Sequence, residues 1–255
     1  DRIWPPGFDL MDVPQIHTNK AADNAVGVAI DVGEYHKQLS HKARKPAMIG
    51  RLDHEKSEHL QPHYLHNAVW SALANGAAVL PLLWNSGNDG GAMTPELYYH
   101  LNHLVTFTRS LDLHKMNLKP MDVGETATYK AWGLMGPFEG IGWILKKDPH
   151  TAGKNEKLVI GQMDHSKYKI KWFDTWSGQY TQTDYLLAKN RRLELPLPDF
   201  DDDIAYHLLK VRKEFIRENF ETLNGWEIIH PAWELVHGSL RGCQGFHGHD
   251  FFRGA

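Results

Sequence analysis

Cysteine is almost absent. The chain has one, Cys243, in 255 residues, which excludes an intrachain disulfide; its neighbours Gly242 and Gly245 point to a flexible segment instead of a thiol active site. Apolar runs are short, and none approaches the roughly 20 residues that cross a bilayer, so no membrane span is expected. No Lys/Arg block occurs and the formal net charge is -3, which argues against a nucleic-acid or anionic-membrane partner, since both need clustered positive charge. The opening "DRIWPPGFDLMD" lacks an initiator Met, a basic region and an apolar run, so it reads as neither a signal peptide nor a native start; processing or truncation is the expectation. "GNDGG" (87–91) lacks the Lys and Ser/Thr that a phosphate loop requires. With 42% hydrophobic and 23% charged residues, the chain can bury a core of one large or two medium domains.

Residues 1–114 alternate between apolar runs and helical patterns. "LMDVPQIHT" (Leu10 to Thr18) is strand-like, and Asn24 to Leu39 carries Val28, Val32 and Tyr35 at helical spacing. "PAMIGRL" is a second strand. Tyr64 to Gly76 reads as a helix closed by its glycine, and "AAVLPLLWN" (Ala77 to Asn85) as a nearly all-apolar third strand. Thr94 and Pro95 have the chemistry of an N-cap and first helical position for the helix that follows. Three strand-helix units in succession predict a parallel sheet with helices outside. From about Lys115 the texture changes to short aromatic and β-branched segments such as "TATYKAWGLM", "EKLVIGQM" and "YKIKWFDTWSGQY", punctuated by turn residues, which predicts an antiparallel sandwich. The expected fold class is therefore α/β plus all-β, divided into 1–114, 115–200 and a C-terminal extension, 201–255. That extension combines a helical stripe over Asp199 to Leu223 with a Gly-rich tail.

The stretch "KPAMIGRLDHE" ends an apolar run in Arg51, Asp53, His54 and Glu55. In parallel α/β folds the carboxyl ends of strands are where ligands bind, so these residues compete with the simpler reading of a solvated turn. The pairs His63/His66 and His100/His103 sit three apart, and His247 and His249 flank a glycine. A closed zinc site needs four convergent ligands, and no second pair stands at a recognisable offset, so solvated histidines and no metal are expected. Trp132, Trp143, Trp172 and Trp176 lie in segments read as strands, where aromatics fill the core.

The segments "FDLMDVPQIHTN", "KPAMIGRLD", "LHNAVWSALANGAAVLPLLWN" and "YYHLNHLVTFTRSLDL" resemble the last three strand-helix units of the cellulase-like glycoside hydrolases, whose catalytic domain is a (β/α)8 (TIM) barrel. "YKAWGLMGPFEGIGWILKKD", "YKIKWFDTWSGQY" and "LELPLPDFDDDIAYHL" are similar to the small β-sandwich that often follows such barrels; together the resemblance covers about residues 8 to 208. It implies a C-terminal barrel portion followed by an antiparallel sandwich, and a chemistry of two carboxylates, one a general acid and one a nucleophile or base. The acid of the relatives lies on a strand upstream of this chain. The position matching their nucleophilic Glu is Arg51, which stays protonated and cannot attack an anomeric carbon. Where relatives have a His-Thr-Tyr run, this chain has His17, Thr18 and Asn19.

The resemblance thus implies a degenerate site; the competing reading relocates the nucleophile to Glu55 or Glu58, beyond the rigid end of the strand. Candidates for residual catalysis are Glu55 and His17. Candidates for sugar contact are Trp84, the position of the family's stacking platform, with Asn85, Asn19 and Arg51. Against the sugar role of Trp84 stands a Trp packed under the following helix. No cofactor is implied. The implied partner is a polysaccharide or oligosaccharide, the implied location extracellular or periplasmic, and the alternative function a non-catalytic glycan-binding or structural assembly subunit. Three strand-helix units leave two open edges, so association with a missing amino-terminal barrel half or another subunit is expected.

Overall fold

The computed structural model describes residues 10–18, 24–37, 45–53, 61–81, 83–84, 94–148 and 156–211. Residues Asp1–Lys210 form one compact unit and Val211–Ala255 a second, of which only Val211 is among the described residues. The first unit opens with β1 (Gln15–Thr18), α1 (Ala25–His36), β2 (Met48–Asp53), α2 (Gln61–Ala74), β3 (Leu83–Trp84) and α3 (Pro95–Thr108). The strands form a parallel sheet in the order β1-β2-β3. Local chemistry sets these helices. Asn24 caps α1 by accepting from Gly27 N at 2.7 Å, and Val28, Val32 and His36 repeat every fourth residue on its buried face. Thr94 caps α3 and Pro95 fills its first turn, as the sequence predicts. Gly76 ends α2 with φ 79°, a left-handed conformation that costs glycine little.

The third strand is shorter than expected. Among the described residues only Leu83–Trp84 pair with β2, with an isolated parallel bridge between Met48 and Val79. Between them Pro81 has no N–H to donate to a ladder, and Val79 is exposed.

The rest is mostly antiparallel: β4 (Lys119–Pro120), β5 (Tyr129–Met135), β6 (Glu139–Lys146), β7 (Lys157–Ile160), β8 (Lys167–Asp174), β9 (Gln179–Leu187), β10 (Leu193–Pro196) and β11 (Asp203–Lys210). Six of them form one sheet in the order β4-β5-β6-β11-β8-β9, and β10 pairs with β7 separately. The start of the expected helical extension is thus a strand, lying between β6 and β8. Its residues 203–208 are buried on both faces, which removes the polar-apolar alternation that marks a half-exposed strand and leaves a pattern that also fits a helix. Residues 212–255 lie outside the described residues.

One face of the six-stranded sheet packs on the helices. Leu65, Val69 and Trp70 of α2 and Leu104 and Phe107 of α3 share a core with Trp132, Trp143, Phe173 and Ala205. Trp132 stacks on Trp143 at 5.4 Å, and Trp70 lies 5.3 Å from Phe107 and 5.9 Å from Phe173. This core crosses the expected division at 114/115. The opposite face buries Tyr168, Ile170, Trp172, Ile204 and Leu208 with Leu158, Ile160, Leu193 and Leu195 of the β7–β10 pair. Trp132, Trp143 and Trp172 are core residues, as expected.

Across the centre of the sheet one register row reads Trp172, Tyr206, Gly142, Gly133. Tyr206 meets Trp172 edge-on at 5.8 Å on one side, and its ring extends over the two glycines on the other. A Cβ on Gly142 would stand 2.1 Å from Tyr206 Cζ, and Tyr206 is fully buried. Gly142→Ala is therefore expected to destabilise the fold by about 1–3 kcal/mol, the usual cost of overpacking. Urea unfolding midpoints check this; a loss below about 0.5 kcal/mol would show that the ring can shift.

Candidate functional site

The sequence places its candidate residues at the carboxyl ends of the parallel strands. The β1–β2 register skips Gly50 opposite the Ile16–His17 step, a bulge that sets His17 opposite Arg51 and Thr18 opposite Leu52. Gly50 also makes room for Gln15, whose Nε2 lies 1.8 Å from where a Cβ would be. On the other side Leu52 pairs with Leu83 and Asp53 with Trp84. The backbone thus brings His17, Arg51, Asp53 and Trp84 to neighbouring register positions on three adjacent strands. Asn19, His54, Glu55, Glu58 and Asn85 lie outside the described residues. A separate cleft of about 900 Å³ opens at the opposite end of the strands, lined by Lys45 and Pro46 before β2, Gly76 and Ala77 before β3, and His114. It shares no residue with the carboxyl-end positions.

The strongest polar site among the described residues is one the sequence does not signal as a unit. Asp203, at the start of β11, is completely buried, and four donors converge on its carboxylate. His66 Nε2 on α2 lies 3.0 Å from Oδ2, Trp143 Nε1 on β6 donates to Oδ1 at 2.7 Å, and Trp176 Nε1 donates to Oδ2 at 2.7 Å. The Thr175 hydroxyl completes the set. A carboxylate only accepts, so Nε2 of His66 carries a hydrogen. Its Nδ1 meets His100 Nδ1 of α3 at 3.0 Å, and one hydrogen is shared along that contact. His103, one turn further along α3, donates from Nδ1 to the Thr175 carbonyl at 2.9 Å. The His66 ring stacks on Trp176 at 4.4 Å.

These contacts correct two sequence expectations. His66, His100 and His103 are buried, the first two bonded to each other and His103 to the Thr175 carbonyl, not solvated. Trp176 does not lie in a strand; it sits in the turn after β8, where its indole reaches back to Asp203. The i,i+3 histidine pairs on two successive helices were the available signal. Their partner Asp203 stands 137 residues from His66, at a distance spacing cannot reach.

Burial by itself would push the Asp203 carboxyl up. The charge and hydrogen bond of His66, with hydrogen bonds from Thr175 and Trp143, outweigh it, and the carboxyl is held below its usual range. His100 is pushed down to about 4 by burial and by the neighbouring rings of His66, His103 and His63, with Asp203 pulling weakly the other way. At neutral pH His100 is uncharged. Among the described residues no group of three or more His, Cys, Asp and Glu side chains could hold a metal ion; His66 and His100 turn their Nδ1 atoms toward each other, not toward a shared centre. The arrangement joins two helices to the sheet, and it has no open position for a substrate atom.

No family model matches the chain, and no curated protein matches it. Solved structures do. A provisionally assigned glycoside hydrolase from Bacteroides vulgatus superposes with a TM-score of 0.50 at 13% identity, over 78% of this chain and 41% of its own. A further glycoside hydrolase gives 0.47 at 12% identity, over 78% and 49%. A GH30 endoxylanase from Clostridium papyrosolvens gives 0.46 at 12% identity, over 82% and 51%. The chain spans about half the length of the structures it matches. At this identity the likeness is one of fold, and the fold is glycoside-hydrolase-like.

The buried network predicts an acid-labile fold. In the unfolded chain His100 titrates near 6.5 and in the folded chain near 4, so between those values the unfolded chain binds a proton that the folded one excludes. Stability is full above about pH 6.5 and falls as the pH drops toward 4. His207, also lowered by burial, and Asp203, lowered from 3.8, add the same sign. Chemical denaturation at stepped pH should show this slope, and His100→Gln should flatten it; an unchanged slope would remove His100 from the account. Asp203→Ala, which strands four buried donors, should cost about 3–5 kcal/mol at pH 7.

Proposed function

We propose that this chain is the C-terminal portion of a (β/α)8-barrel glycoside hydrolase-like protein together with its small β-sandwich, and that it engages polysaccharide with a degenerate catalytic centre. The observation that carries this reading is the register at the carboxyl ends of β1–β3, where Arg51 stands beside His17 and Asp53 beside Trp84 in a glycoside-hydrolase-like fold. Glycoside cleavage needs a carboxylate that attacks or activates water and a second carboxyl that protonates the leaving oxygen. A guanidinium at the nucleophile's position supplies neither function, although it can hydrogen-bond sugar hydroxyls or a substituent carboxylate. In this reading Trp84 offers an indole face to a pyranose, Asn19 and Asn85 supply polar contacts, and His17 and Glu55 are the remaining groups able to move a proton. An extracellular or periplasmic location accords with such a substrate. Among the described residues no helix is long and apolar enough to cross a membrane.

A second reading, an assembly subunit, is favoured by the sheet edges. Among the described residues β1 and β3 each pair only with β2, whereas parallel sheets are normally covered and continued on both sides. Strands from an amino-terminal barrel half or from another subunit would continue them.

Calorimetric titration with xylo- and cello-oligosaccharides tests the first reading. Trp84→Ala should weaken binding by about 1–3 kcal/mol with the melting temperature unchanged. A large fall in melting temperature with unchanged binding would assign Trp84 to packing. The chain should also leave aryl glycosides and β-glucans uncleaved; turnover that disappears in Glu55→Gln would replace the degenerate site with a relocated nucleophile.

A further inference from the structure

β8 and β9 close one edge of the six-stranded sheet. α3 covers its helix-facing side as far as Tyr180, whose ring lies 6.4 Å from that of Phe107 and whose hydroxyl hydrogen-bonds with Ser110. Beyond that point the face changes character. Alternation along β8 sends Tyr168, Ile170 and Trp172 into the core on the far side and sets Lys167, Lys169 and Lys171 on the near side, about 6.7 Å apart. Across from them on β9 the register places Leu187, Tyr185 and Thr183. The ammonium groups of Lys167 and Lys169 lie 5.3 and 5.7 Å from the Tyr185 ring centre, and that of Lys171 lies 5.7 Å from the Tyr180 ring centre. The two rings are 46% and 42% exposed.

The strip is positive in a chain whose formal net charge is -3. Among the described residues, Glu139 is held by His207 at 3.1 Å, and Asp184 accepts from Trp172 Nε1 at 2.7 Å on the opposite side of the sheet. Lysines beside exposed tyrosine rings on one face of a sheet combine charge recognition of a carboxylate with an apolar surface for sugar C–H groups. Three lysines are too few for the long phosphate backbone of a nucleic acid, whose binding draws on many more.

We infer that the β8–β9 strip is a binding site for a polysaccharide bearing uronic-acid carboxylates, with Lys167 and Lys171 taking the carboxylates and Tyr185 the ring faces. This rests on the reading that the chain engages glycan, and it adds the class: acidic instead of neutral.

The test is affinity electrophoresis of the 255-residue chain in gels containing polygalacturonate, glucuronoxylan, unsubstituted xylan or polyglutamate, each at low and high salt. Retardation by the two acidic polysaccharides should exceed that by neutral xylan and should weaken as salt rises. Lys167→Gln/Lys171→Gln should weaken it about tenfold, since each exposed charge contributes little alone. Tyr185→Ala should weaken it about fivefold. All three substitutions are at the surface, and thermal melts verify that the variants fold. Equal retardation by polyglutamate would reduce the strip to simple ion exchange and overturn the proposal, as would wild-type binding by the double variant. Binding to neutral xylan with no acidic preference would overturn this site and leave the glycan reading intact. Loss of all polysaccharide binding would overturn both.

Discussion

A carboxylate with no access to water sits at the junction of helices and sheet, and the rest of the unit is arranged around its needs. Moving a charged carboxyl into a protein interior costs several kcal/mol, a cost recovered only when donors surround it in good geometry. Asp203 recovers it from four donors on three separate parts of the chain: α2, β6 and the turn after β8. Each of those parts is therefore fixed in position by one side chain. The histidine pair His66–His100 extends the constraint to α3, and His103 returns it to the turn through the Thr175 carbonyl. Apolar packing alone would allow the helices to slide over Trp143 and Phe173; the directional bonds to Asp203 select one docking.

That selection reaches the candidate site through connectivity. α2 follows β2 and precedes β3, so fixing His66 fixes the helix from which both neighbouring strand ends are hung. Ser71 Oγ, further along α2, donates to the Ala29 carbonyl at 2.6 Å, and Asn67 Nδ2 to the Ala25 carbonyl at 2.9 Å, so α1 is held to α2 as well. Arg51 and Trp84 thus stand on strands whose return helices are clamped to the sheet. The bulge at Gly50 then sets which residues of β1 and β2 are neighbours.

Local features of the fold were legible in the sequence because their causes are local. The caps at Asn24 and Thr94, the glycine stop at Gly76 and the turn-punctuated aromatic segments from Tyr129 to Tyr180 all depend on residues within a few positions of one another. What resisted was non-local. β11 resembles a helix when read alone, because burial on both faces removes its alternation, and only its neighbours β6 and β8 make it a strand. His66 and His100 read as ordinary polar positions on amphipathic helices, since nothing within a turn of either shows a buried carboxylate arriving from far along the chain. Of the candidate site, the strand positions of His17, Arg51 and Trp84 followed from apolar runs and their ends. Which further groups reach the candidate site depends on loops, and loop chemistry has no period to read.

The position of β11 also has a consequence for the order in which the fold can be made. The β5–β6 and β8–β9 hairpins are local and can form as soon as their residues emerge during synthesis, but neither can join the other until residues 203–210 enter between them. Until then each hairpin has an unpaired inner edge, Trp143 and Trp176 lack their acceptor, and His66 has no anchor in the sheet. One late segment therefore completes the sheet and locks the helices in the same event. A nascent chain stalled just before Asp203 would carry two exposed strand edges and a loose helical layer, the form most open to chaperone capture and to aggregation.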